Sequence, residues 1–136
     1  MIKSLQNPLS LAGRLLFALL FLPAGISKLT GFAGTVGYIS SVGLPAPTLA
    51  AAFALSLEII GGLALVLGAG TRIAALALAL FTLVASFVFH GYWAVPEAQQ
   101  FVQQLMFFRN LTFVGGLLSL AAWGAGAWSV DELRKT

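Results

Sequence analysis

The sequence predicts an all-α membrane protein: a four-transmembrane-helix antiparallel bundle with short interfacial helices in its two outer connections. Three observations predict it. Of 136 residues, 60% are hydrophobic and only 8% are charged, where a soluble domain carries about 25% charged residues. Four apolar runs, roughly 11–29, 48–68, 72–90 and 105–124, each approach the about 20 residues a helix needs to cross a bilayer's hydrocarbon core. The polar stretches between them are short, which favours antiparallel neighbours. No linker, repeat or low-complexity stretch divides the chain, so residues 1–136 read as one domain.

The same composition excludes several classes. The net charge of +3 rests on seven basic residues scattered over several helix ends, not on the clustered patch of a nucleic-acid binder. There is no cysteine, which removes disulfides, thiolate metal sites and thiol redox chemistry. The single histidine removes a bis-histidine haem site and leaves no nucleophile–base–orienter set. No protein-built metal site is expected.

Residues 1–10 are a short polar lead into the first span, 11–29. The cationic start resembles a signal peptide, but Arg14 inside the run and the equally apolar remainder favour a span. Pro23 is expected to kink it. Arg14, Phe21, Gly25 and Lys28 share one stripe of this helix. Residues 30–47 are rich in Gly, Ser and Pro, with Phe32, Val36 and Tyr38 or Ile39 at helical spacing, as in a short helix lying on the bilayer.

The second span, 48–68, carries one ionisable group, Glu58, near its middle. Ala51, Ala54, Gly61 and Gly62 lie within about 60° of it at about 100° per residue. Small residues let helices approach closely, so this face is where the bundle closes. A tight turn at 68–72 makes the second and third spans adjacent and antiparallel. On the third span, 72–90, Arg72 and His90 share a face at opposite ends, with Ala75, Ala79 and Ser86 between them. Tyr92 and Trp93 suit the headgroup level, and Pro96 with Glu97 is placed to open a helix. The fourth span, 105–124, holds Arg109 and Asn110 one turn in and Gly115 and Gly116 midway. Trp123 and Trp128 mark the opposite interface, and the tail is polar.

Four spans leave both ends of the chain on one side. That side holds Lys3, Arg14, Arg72, Arg134 and Lys135, against Lys28 and Arg109 on the other. The positive-inside rule makes the first side cytoplasmic.

The polar groups inside the spans define the candidate site. A carboxylate at midplane depth is costly unless paired or protonated, and marks a functional site by default. Glu58 is therefore the best catalytic candidate, with a structural helix-to-helix ion pair as the competing reading. Its partner is open: rise per residue puts Arg14 and Arg109 each about 10 Å away in height, within joint reach of two long side chains. Arg14 and Arg72 equally suit snorkelling to the cytoplasmic surface, and Lys28 to the outer one. His90, at a helix end, also fits a plain interfacial role. Arg109 and Asn110 are adjacent and cannot share one face, so at least one points into the bundle. The expected ligand-binding set is Glu58, Arg109, Asn110, Lys28, His90 and Arg14. The expected helix-packing set is Gly25, Gly61, Gly62, Gly115 and Gly116. Such a cluster suits hydrogen bonds to a small polar or quinone-like molecule, or the passage of protons.

These residues resemble the DoxX family of small bacterial inner-membrane proteins. The likeness runs through Arg14, Gly25-Ile-Ser-Lys28, Gly43-Leu-Pro45, Glu58-x-x-Gly61-Gly62, Gly68-x-x-Thr71-Arg72, His90, and Arg109-Asn110 before Gly115-Gly116. The family's last polar pair is Lys-Asn, and Arg109 keeps the charge. The resemblance implies a four-helix membrane bundle in the bacterial inner membrane, similar to the membrane subunit of thiosulfate:quinone oxidoreductase. Wider relatives that do thiol chemistry use cysteines, which this chain lacks. The expectation is thus at most a quinone-linked membrane subunit, with no intrinsic cofactor and a quinone as candidate ligand. Its expected partners are the lipid bilayer, a soluble redox protein and a second copy of itself in a homo-oligomer, with no nucleic acid. The alternatives are a non-enzymatic membrane anchor and a small transporter or proton pathway.

Overall fold

The computed structural model describes residues 2–135, and among them there is no strand. Six α-helices follow in order: α1 (Ile2–Thr30), α2 (Phe32–Ser41), α3 (Pro47–Leu67), α4 (Thr71–Phe89), α5 (Glu97–Trp123) and α6 (Val130–Leu133). A single 3-10 turn, Tyr92–Ala94, precedes α5. Helices α1, α3, α4 and α5 are each long and apolar enough to cross a membrane. They are the four expected spans.

Where the elements differ from expectation, the helices are longer. The polar lead is the first turns of α1, and α1 continues through Pro8 and Pro23 without a break. An isolated proline removes one backbone bond and need not end a helix whose other faces are packed. Helix α2 lies where the first interfacial helix is expected. The second connection holds no separate helix beyond its 3-10 turn, because the segment after Pro96 joins α5 directly.

Packing is pairwise. Helix α1 lies chiefly on α3, α4 on α5, and the α3–α4 contact joins the two pairs, with α2 across α3. Small residues set the approaches. Gly61 faces Leu78 of α4, Gly62 faces Leu22 of α1, and Gly116 of α5 faces Phe17 of α1. Gly115 meets nothing, so of the expected packing glycines it alone has no neighbour. The apolar centre is formed by Phe21, Leu65, Leu78, Val114 and Leu117 with Ala75 and Ala79. Most other large apolar side chains point outward, as they do in a bundle whose solvent is lipid.

At the end carrying the α3–α4 turn, Arg14 is fully buried. Its Nη1 donates to the carbonyls of Leu65 (2.9 Å) and Val66 (3.2 Å), and its Nη2 to the carbonyl of Trp128. Leu65 and Val66 belong to the last turn of α3, whose carbonyls have no partner within the helix. The guanidinium supplies two of those bonds and ties α3 to the tail with the third. Gly68 ends α3 at φ +65°, and a Cβ there would lie 2.6 Å from Arg14 Nη1. The tail closes the same end: Asp131 accepts from the backbone N–H groups of Gly70 (2.6 Å) and Thr71 (2.9 Å), and its own N–H donates to the Gly68 carbonyl.

Candidate functional site

Toward the end opposite that turn, a cavity of about 490 Å³ is lined by residues of α1, α2, α3, α4 and α5. Its wall is mostly apolar. Eight side chains with polar atoms line it: Lys28, Thr35, Tyr38, Glu58, Thr82, His90, Arg109 and Asn110. This size and this mix, an apolar cleft with a few convergent polar groups, suit a small-molecule site.

The central contact is an ion pair between two helices. Lys28 Nζ on α1 lies 3.0 Å from Glu58 Oε1 and 2.9 Å from Oε2 on α3. The carboxylate is buried and the lysine side chain is 29% exposed, toward the cavity end of the bundle. The pair is therefore anchored at the acid and free at the base. Glu58 is where it is because Ala51, Ala54, Gly61 and Gly62 on the same face are buried and let α1 and α4 close around it. Lys28 is where it is because Gly25, one turn earlier, sits directly against Ile59.

The other polar groups come from α4 and α5. His90 ends α4, and its Nδ1 is 2.8 Å from Gln103 Oε1 of α5. Thr82 is buried, and its hydroxyl has no partner among the described residues. Ser86, one turn on, donates to the Thr82 carbonyl over 2.6 Å. Arg109 lies over the Phe113 ring, 5.9 Å from its centre, and is largely exposed. Asn110 is half-buried beside it. A cluster of rings, Phe87, Tyr92, Trp93, Phe107 and Phe108, packs below His90 with centroids 5.1 to 6.1 Å apart.

Five of the six residues expected to bind ligand thus share one cavity. Arg14 does not: it lies at the other end of the bundle, on backbone carbonyls of α3 and the tail. It neither lines the cavity nor snorkels to the surface, because three backbone carbonyls hold its buried guanidinium. Arg72 is exposed near Gly124 and belongs to neither cluster. Between Arg14, Arg109 and Lys28 as partners of Glu58, the geometry selects Lys28. Sequence reading passed over Thr82 and Gln103. Thr82 had a signal, since it falls at helical spacing between Ala75, Ala79, Ser86 and His90. Gln103 had none beyond polarity.

Fold and site together define a class: a small multi-pass membrane protein with an ion-paired cavity inside a helical bundle. The DoxX profile matches residues 9–91, and the chain belongs to the DoxX family. It is 43% identical over 131 residues to Inner membrane protein YqjF of Escherichia coli (strain K12), covering 96% of this chain and 95% of that one. It is 36% identical to Inner membrane protein YphA of the same organism, covering 91% and 89%. It is 32% identical over 83 residues to ER-derived vesicles protein ERV29 of Saccharomyces cerevisiae, covering 61% of this chain and 27% of that one. No solved structure matches. The chain is accordingly a multi-pass protein of the inner membrane.

Proposed function

We propose that this protein is the membrane component of a redox system and binds a quinone, or a small molecule of similar polarity, in the cavity beside Lys28 and Glu58. One observation supports this above the others: an intramembrane acid and four basic or amide side chains line one apolar cavity with an unpartnered hydroxyl. Such a set donates to carbonyl oxygens and accepts from hydroxyls, which are the two states of a quinone's oxygens. Glu58 is the proton or hydrogen-bond acceptor. Lys28, Arg109, Asn110 and His90 orient the ligand. With no cysteine and one histidine, the chain has no residues for a redox centre of its own, so a soluble partner protein supplies the electrons. The excess of basic residues at the turn end supports an orientation with both ends of the chain in the cytoplasm and the cavity in the outer half of the bilayer.

The test is to titrate decylubiquinone into purified wild type and Glu58→Gln. The reading predicts saturable binding to wild type, weakened about tenfold in the variant. Equal, negligible binding by both contradicts it. One observation favours a second reading, a non-enzymatic anchor: the Lys28–Glu58 pair also joins α1 to α3. Under that reading Glu58→Ala lowers thermal stability and leaves the partner's activity intact.

A further inference from the structure

The cavity wall is uneven. Its charged and amide groups come from α1 (Lys28), α3 (Glu58), the α4 end (His90) and α5 (Arg109 and Asn110), and the buried Thr82 hydroxyl from α4. On one side it runs out to the surface of the bundle at Leu20, Phe53 and Val84, which are 36%, 64% and 54% exposed. These three are apolar and lie within spans, so what they meet is acyl chain. Toward the α2 end the lining includes aromatic rings. Tyr38 of α2 stacks on Phe89 of α4 with centroids 5.5 Å apart and rings 23° from parallel. Beside them His90 is bonded to Gln103. The opening at Leu20, Phe53 and Val84 is thus an apolar gap within the spans.

We infer that the cavity takes its ligand sideways from the bilayer, and that the ligand is an amphiphile. Its oxygen-bearing head lies beside Lys28, Glu58 and Thr82, and its long apolar tail leaves between Leu20, Phe53 and Val84. This rests on the proposed function in treating the cavity as a ligand site, and it adds the substrate class and the route. An apolar mouth inside the spans favours a molecule that carries apolar length of its own. A tailed molecule keeps its tail in lipid while the head exchanges lipid for hydrogen-bond partners, including the Thr82 hydroxyl that has none in the fold.

The chain has no cysteine, so Thr82→Cys introduces one thiol at the cavity wall with little change of volume. Proteoliposomes of this variant are treated with a pyrene maleimide, which enters the bilayer, or a sulfonated maleimide, which stays in water. Two methylenes' worth of apolar surface already enrich a reagent in lipid about tenfold. The inference predicts labelling by the pyrene reagent faster by at least about that factor, and slowed when Val84→Trp fills the gap. Faster labelling by the sulfonated reagent, or no labelling by either, overturns the lateral route. Protection is then measured with decylubiquinone and with palmitate. Protection by decylubiquinone supports both this inference and the quinone reading. Protection by palmitate alone supports the amphiphile and refutes the quinone. Protection by neither overturns the amphiphile.

Discussion

Gly25 on α1 presses so closely on α3 that a Cβ there would lie 3.1 Å from Glu58 Cβ and 2.7 Å from Ile59 Cγ1. The missing side chain is what lets Lys28, one turn later, span to the Glu58 carboxylate. The backbone of Ile59 is also within 3.2 Å, so α3 cannot yield by a rotamer change alone. Gly25→Val is expected to part α1 from α3 and to cost on the order of 2 kcal/mol through overpacking. Gly115→Ala is the control. It meets nothing, and replacing an exposed helical glycine is expected to stabilise by about 0.5 to 1 kcal/mol. Thermal unfolding in detergent separates the two.

Lys28 and Glu58 differ in what each can do when left alone. Lysine at 29% exposure can move its ammonium to water, whereas the 7% exposed carboxylate cannot leave. Lys28→Ala is therefore expected to lower stability more than Glu58→Ala does, by about 3 kcal/mol against about 1. Removing both costs less than the sum. A double-mutant cycle on melting temperature checks the order and the coupling.

Arg14 holds the turn end together. Arg14→Ala removes three hydrogen bonds and strands the buried carbonyl of Leu65 along with the part-buried ones of Val66 and Trp128. The expected loss is on the order of 3 kcal/mol. Arg14→Lys recovers little of it, because a single ammonium cannot reproduce the planar fork that reaches α3 and the tail at once. Quinone binding by whatever protein still folds is expected to be unchanged, since Arg14 is not in the cavity.

Asp131 makes the tail's attachment depend on pH. Burial pushes its carboxyl up, but the N–H groups of Thr71 and Gly70 and the charge of Arg134 outweigh that and hold it below the ordinary carboxylate range. A group whose folded pKa is depressed stabilises above its unfolded pKa, about 4, and loses that contribution as pH falls through the folded value. Tail protection in hydrogen exchange is expected to be full at pH 6 and to fall below about pH 4. Asp131→Asn is expected to show the weakened tail already at pH 6.

The spans and the midplane acid were legible in the sequence because lipid imposes a strong rule: about 20 apolar residues per crossing, with charge only where function or pairing demands it. The face bearing Glu58 was legible for a similar reason, since Ala51, Ala54, Gly61 and Gly62 repeat at helical spacing. The partner of Glu58 was not. Height along a helix is one coordinate, and Arg14 and Arg109 both satisfied it. What decides is which residue faces α3 across a glycine, and Lys28 follows Gly25 on that stripe. Arg14 was misplaced for the opposite reason. Arginine near a helix end snorkels unless buried carbonyls face it, and those carbonyls come from the ends of α3 and the tail, far away in sequence. The tail's own helix carried a faint signal: Ser129 accepts from the Glu132 N–H over 3.3 Å, at the spacing of a capping box.

The most direct measurement uses a cavity stripped of its charges but not its packing. Exchanging a buried ion pair for apolar residues of similar volume is often neutral for stability, so Lys28→Met with Glu58→Leu is expected to fold. Decylubiquinone is then titrated into this double variant and into wild type at matched folded fraction. Saturable binding to wild type, lost in a folded double variant, is the predicted result. A folded double variant that binds as tightly as wild type contradicts a ligand site built on Lys28 and Glu58.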